Sequence, residues 1–232
     1  MPSTRDRTPR AAAGAAHADP WRGDLIVGSG WARFFGRVGL TAPIACRSVQ
    51  VVTAICSWNR IASRGAAAQR LAGAIVRSGE TYQVDPERPQ VMIVFADARL
   101  PAGRWLDAQA KLPLQRLSSA SAKHWRRLMF ALSPASDLKS LLGSLYEDRG
   151  DGDADVPVSG SVTRSAAVII VWQRVASTIR AYRDGIELPQ AARDAGFPSM
   201  GHCTRAFRQL FGLSPATLLG MYHDGHSAAP TR

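Results

Sequence analysis

Cysteine is scarce in this chain of 232 residues: Cys46, Cys56 and Cys203 are an odd number with no CxxC spacing. A disulfide framework and a zinc ribbon are thereby excluded, and a reducing cytosol is the compartment that fits. Long apolar runs are also missing. The longest, Ala166 to Trp172, leads straight into Gln173 and Arg174 and falls far short of a bilayer's thickness, so a soluble, cytoplasmic protein with no membrane partner is expected. Acidic residues are few, 18 Asp and Glu against 29 Lys and Arg, and the formal charge of +11 favours polyanionic partners. Charge alone does not choose between nucleic acid and an acidic lipid surface. Apolar residues, by contrast, make up 46% of the chain, enough for one large domain or two modest ones with real cores, and two are expected.

Residues 1–23 are rich in Arg, Ala and Pro and lack a continuous apolar core, the composition of a disordered tail; a basic, Ala-rich start also suits an organellar transit peptide. From Asp24 onward the short runs DLIVG, SVQVVTAICSW, GAIV, TYQV and QVMIVFADARL are punctuated by Gly, Ser and Pro, which predicts a compact β-rich domain over 24–113. Within it GAAAQRLAG reads either as a helical turn or as a strand pair. The period then changes. Trp125, Leu128, Met129 and Leu132, followed by Leu138, Leu141, Leu142 and Leu145, mark two amphipathic helices, with Ser133 as N-cap and Pro134 at the first position of the second, a hairpin over 114–148. Its apolar stripes either cover the β domain or form a dimer interface. The stretch EDRGDGDADVPVSG is Gly and Asp rich without apolar periodicity and reads as a linker.

After the linker the chain is helical. Val168, Trp172, Val175, Ile179 and Tyr182 advance by 4, 3, 4 and 3 residues and share one helix face, Arg174, Arg180 and Arg183 fall off it, and Asp184-Gly185 stops the helix. ELPQAARDA is a short helix whose Ala191, Ala192 and Ala195 permit close packing; Gly196 is its left-handed C-cap and Phe197 plugs the space beside it. Ser199 caps a further helix, Met200 to Phe211, with Cys203, Phe207 and Leu210 or Phe211 facing the core, before Gly212 ends it and Pro215 prevents its return. Helix, tight turn and second helix is the helix-turn-helix plan.

The face of the second helix turned from that core carries Met200, Gly201, Thr204, Arg205 and Arg208, the side that enters the major groove in such motifs. Arg205 suits a bidentate guanine contact, Thr204 a base or a phosphate, and Arg208 and Arg193 the DNA backbone, with Ser199 at the helix start. Met200 and Gly201 bring no side-chain hydrogen bond to a base edge, so docking with weakened base readout is expected. His202 is a phosphate ligand or a surface residue beside the groove. Cys203 is a small apolar filler at a core position, not a redox switch.

ELPQAARDAGFPSMGHCTRAFRQLFGLSP resembles the second helix-turn-helix of the AraC/XylS transcriptional regulators, with paired alanines, Ala-Gly-Phe, a Ser, Arg-x-Phe-Arg and Phe-Gly-x-Ser-Pro in register. Trp172-Gln173-Arg174-Val175 looks like that family's long connecting helix. GWARFFGRVGLTAPIACRSVQVVTAI and VMIVFADARLPAGRWL are similar, more weakly, to its cupin-like effector domain. The resemblance implies an α+β chain: a β-rich, cupin-like N-terminal effector or dimerisation domain followed by an all-α helix-turn-helix DNA-binding domain at 165–222 and a tail at 223–232. Two departures qualify it. No histidine lies between Asp24 and Pro113, so a metal-binding cupin site and any cofactor are not expected. Where the family carries a first helix-turn-helix this chain has EDRGDGDADVPVSGSVTRSAAVII, which implies a loose linker or a degenerate unit at 149–164.

The function so implied is that of a non-enzymatic, sequence-specific transcription regulator with double-stranded DNA as partner, a small-molecule effector and a homodimeric state. An interaction protein that dimerises with intact regulators without binding DNA is the alternative. A cupin-type enzyme is a third, and it lacks both metal ligands and a nucleophile paired with a base.

Overall fold

The computed structural model describes residues 21–39, 43–56, 58–63, 66–85, 90–138, 142 and 162–222, with only the backbone described over 162–165. Its β region runs β1 (Arg22–Val27), β2 (Trp31–Arg37), β3 (Ile44–Ala45), β4 (Ser48–Ala54), β5 (Asn59–Ser63), β6 (Gln69–Leu71), β7 (Gly73–Val76), β8 (Thr81–Val84), β9 (Val91–Asp97) and β10 (Leu114–Arg116). A six-stranded sheet has the order β1-β2-β9-β4-β7-β10 and a four-stranded sheet the order β3-β8-β5-β6, every pair antiparallel.

The pleat divides the large sheet into two buried faces. Phe34, Ile93, Val52 and Ala74 stand opposite one another across β2, β9, β4 and β7 and pack against Ile61, Tyr82 and Val84 of the small sheet. The adjacent row, Val94, Val51 and Ile75, points the other way into a second core with Leu106, Trp125 and Met129. Because successive side chains alternate between faces, a central strand buried on both sides reads as a continuous apolar run, as Val91 to Ala96 does; SVQVVTA is buried throughout as well but includes the polar Ser48, Gln50 and Thr53.

The strands expected at DLIVG, SVQVVTA, GAIV, TYQV and VMIVFAD are present, and GAAAQRLAG resolves into β6 at Gln69–Leu71, a strand rather than a helical turn. The expected tail is shorter than residues 1–23: Trp21 is completely buried against Phe34, with ring centroids 4.5 Å apart, and β1 begins at Arg22. Residues 1–20 lie outside the described residues. The β region also runs past residue 113, because β10 adds to the edge at β7.

Helix α1 (Pro101–Gln109) follows β9, where the sequence pattern of QVMIVFADARL predicts only the end of a strand. Pro101 sits in its first turn, where the missing N–H costs nothing. Helix α2 (Ser119–Ala131) is capped by Ser118, whose hydroxyl accepts from Ser121 N at 3.1 Å. At the other end Arg33 of β2 donates to the carbonyls of Met129 at 3.1 Å and Leu132 at 3.4 Å, a guanidinium placed at the negative end of a helix. The expected cap at Ser133 and helix start at Pro134 are not found. Pro134 and Ala135 form a turn, Ser133 N is satisfied by Ser136 Oγ at 2.9 Å, and helical conformation begins only at Leu138. Leu138 and Leu142 are buried in the outer core; the remainder of that expected helix lies outside the described residues.

The C-terminal helices are α3 (Val162–Arg183), α4 (Leu188–Asp194), α5 (Met200–Phe211) and α6 (Pro215–Leu219), ending in a 3-10 turn at Gly220–Tyr222. Residues 162–164, assigned to the linker by sequence, belong to α3; the region where the first helix-turn-helix was expected otherwise lies outside the described residues. On α3, Val168, Trp172, Val175 and Ile179 are buried and Tyr182 partly so, as their spacing requires.

The helices and the β region share one core. Phe211 meets Phe95 edge-on at 5.3 Å and Trp172 at 5.8 Å. Trp172 Nε1 donates to Asp97 Oδ2 at 2.9 Å, and Arg99 grips both oxygens of the same carboxylate at 2.9 and 2.7 Å. Burial by itself would raise the Asp97 pKa, but the hydrogen bonds from Arg99 and Trp172 outweigh it and hold the carboxyl below its usual range. No helix among the described residues is long and apolar enough to cross a membrane.

Candidate nucleic-acid interface

The turn between α4 and α5 is built by local chemistry. Gly196 has φ +85°, open to glycine at little cost, and Phe197 beside it is buried in the core. Ser199 is extended and accepts from His202 N, while its hydroxyl also meets His202 Nδ1 at 2.9 Å. Cys203, Ala206, Phe207, Leu210 and Phe211 face inward, so Leu210 and Phe211 both serve as core residues. Gly212 is required twice. Its φ is +73°, and an added Cβ would fall 2.6 Å from Ile44 Cγ2 and 3.0 Å from Ala45 O, where the end of α5 abuts β3.

The opposite face of α5 is open. Gly201, Arg205 and Arg208 are exposed and Thr204 is half-exposed, and all four line one cleft of about 620 Å³. Met200 departs from that set: it packs against the core and does not line the cleft. Gly201 leaves room rather than relieving strain, since a Cβ there would meet only Ser199 Oγ at 3.6 Å. Arg193 is exposed on α4 and is held by Gln190 Oε1 at 2.6 Å, outside the cleft. His202 is exposed, its ring occupied with Ser199 at the cap.

The cleft has a second wall that the sequence did not announce. The turn Ala45-Cys46-Arg47, between β3 and β4, and Gly79, between β7 and β8, stand across from α5. Arg47 N donates to Gln209 O at 2.7 Å, which pins the first turn to the helix, and Gly79 N donates to Cys46 O at 2.6 Å, which pins the second turn to the first. Arg47 is exposed and brings a third guanidinium to the same opening. Arg47, Arg205 and Arg208 have no ion-pair or hydrogen-bond partner for their side chains among the described residues, and no carboxylate lines the cleft. The only sequence signal for Arg47 was that it is an arginine next to a short strand. Its position beside α5 depends on a contact between distant parts of the chain.

The thiols near this surface are not reactive groups. Burial pushes the Cys46 pKa up to about 12 and that of Cys203 to about 11, so both stay protonated at neutral pH. Among the described residues no three of His, Cys, Asp and Glu come together as a metal site would need.

No protein-family model and no curated protein matches this chain. Among solved structures, a variant of apo ToxT from Vibrio cholerae is similar over 86% of this chain and 96% of its own, at 7% identity and a TM-score of 0.41. Another ToxT structure from the same organism is similar over 88% and 98%, at 10% identity and a TM-score of 0.40. ToxT with an unsaturated fatty acid bound is similar over 88% and 94%, at 8% identity and a TM-score of 0.33.

Proposed function

We propose that this chain is an AraC-type transcription regulator that docks on double-stranded DNA through α5, with weak base readout and no enzymatic activity. The observation that carries this reading is the open face of α5: a capped helix that follows α4 across a tight turn, beside which three guanidiniums without a side-chain partner among the described residues line one cleft with no carboxylate. Arginines held this way lose nothing by leaving an internal partner, and phosphate neutralisation releases counterions.

In this arrangement Arg205 reads a guanine edge and Thr204 touches a base or phosphate, while Arg208, Arg47 and Arg193 hold backbone phosphates. Gly201 lets the helix approach the groove floor closely. Met200 is turned to the core and takes no part in readout, which leaves a shorter reading set than a standard recognition helix carries.

Fluorescence anisotropy on duplex DNA across a salt series tests the reading. Arg205→Ala is expected to cost about 1–3 kcal/mol at the preferred site and to flatten sequence preference. Arg47→Ala and Arg208→Ala are expected to weaken all sequences alike, each reducing the slope of log K against log salt by about 1. Absence of binding even at low salt removes DNA recognition and leaves the interaction-protein reading.

A further inference from the structure

A second cavity, of about 680 Å³, lies on the far side of the large sheet from Phe95 and Phe211, enclosed by α1, β10 and the first half of α2. Its floor is apolar and buried: Ile75 of β7, Leu106 of α1 and Trp125 of α2, all continuous with the outer core. Trp105 adds a half-buried indole to the wall. Two cations stand at the rim. Lys111 and Arg116 are exposed, and neither has a side-chain partner among the described residues. Among the described residues no Asp or Glu lines the cavity; the acidic side chain of α1, Asp107, is turned to Ser78 and Arg77.

The geometry points to a small-molecule site here, taking an aromatic carboxylate whose ring lies between Trp105 and Trp125 and whose carboxylate meets Lys111 and Arg116. The volume is that of ordinary small-molecule sites, about 300–1,000 Å³, and the lining joins apolar side chains to polar ones, Gln109, Gln115, Ser118 and Ser121 beside the two cations, so a ligand with both an apolar body and a charged end fits it. A purely hydrophilic anion would leave the half-buried Trp105 indole uncovered. A neutral hydrocarbon would leave two cations without use. The space between the two sheets is no competitor, because Phe34, Tyr82, Ile93 and Phe95 fill it with completely or almost completely buried side chains. The inference is independent of DNA docking, which uses the opposite face of the large sheet.

Isothermal titration calorimetry of the whole chain with 4-phenylbutyrate tests it, with 4-phenylbutan-1-ol as the uncharged control and butyrate as the control without a ring. The acid is expected to bind at one site per chain, at least about tenfold tighter than either control. In a Lys111→Gln/Arg116→Gln variant, both positions being exposed, affinity for the acid is expected to fall at least about fivefold while that for the alcohol is unchanged. Ala120→Trp, an exposed substitution at the cavity wall, is expected to abolish binding of the acid with the thermal melt unaltered. The proposal is overturned by equal affinity for acid and alcohol, by an unchanged double variant, by binding that survives Ala120→Trp, or by no saturation up to about 10 mM acid.

Discussion

The cleft beside α5 and the cavity beneath α1 and α2 have similar volumes, about 620 and 680 Å³, and both have cationic edges without a carboxylate. Their floors separate them. Beside α5 the surface is largely exposed glycine and guanidinium, with Gly79, Gly201, Arg47, Arg205 and Arg208 open to solvent. Under α1 and α2 it is buried Ile75, Leu106 and Trp125. Positive potential alone therefore does not name a ligand. An open basic surface suits a long, well-hydrated phosphate backbone that needs no apolar contact, whereas an apolar floor gains only when a ring or alkyl body covers it.

The sharpest way to break this comparison is to detach α5 from the sheet. Phe211→Ala removes the edge-on contacts to both Phe95 and Trp172 and is expected to cost about 3–5 kcal/mol in urea unfolding. DNA affinity should fall with it, because Arg47 and Arg205 then no longer share a fixed cleft, while 4-phenylbutyrate affinity should hold in the folded fraction. Loss of both together would show that the two sites are not independent.

A smaller perturbation of the same joint is Trp172→Phe, which keeps an aromatic ring but leaves a small void and Asp97 with Arg99 alone, at an expected cost of about 1–3 kcal/mol near neutral pH. The pH dependence follows from the depressed Asp97 pKa. A carboxyl held below its unfolded value contributes stability above that value and loses it as pH falls through the folded one. Removing the indole donor lessens the depression, so the gap between wild type and variant in urea midpoint should be full at pH 7 and narrow below about pH 4.

The smallest expected effect is on labelling rather than on stability. With the native protein a thiol reagent should modify Cys56, which is exposed, and spare Cys46 and Cys203, whose thiols are buried and protonated. Mass spectrometry after labelling of Phe211→Ala should show Cys46 and Cys203 gaining label, since Cys46 borders the first cleft and Cys203 lies under it. Labelling of both in the native protein would mean that α5 opens readily on its own.

Legibility in the sequence followed the range of the forces involved. The cap at Ser199, the left-handed Gly196, the stop at Gly212 and the buried stripe of α5 are set by neighbours three or four residues away and are readable as a string of letters, whereas the sequence reading has no helix after Pro215, where Ser214 caps α6. The face of α5 was legible as well, apart from Met200, whose flexible side chain turned inward where the core offered space. Helix α1 escapes the sequence pattern because it spans only nine residues and starts at a Pro directly after a strand, so the strand signal of VMIVFAD carries over into ADARL. Ser133-Pro134 read as a helix start, but the serine's N–H found Ser136 Oγ and the segment became a turn.

The letters alone fix a basic chain with a β-rich first part, helices after it, and two short helices joined by a glycine turn, the second capped by Ser199 and carrying arginines on its outer side. Tertiary structure alone decided that Arg47 joins Arg205 and Arg208, that Trp172 closes on Asp97 across 75 residues, and that α1, β10 and α2 leave a cavity with two indoles and a cationic rim. The physical reason is one of distance along the chain. Propensity, caps and periodicity act over one or two turns, while convergence of remote side chains depends on sheet order and on which faces find burial, and those are properties of the whole packed core.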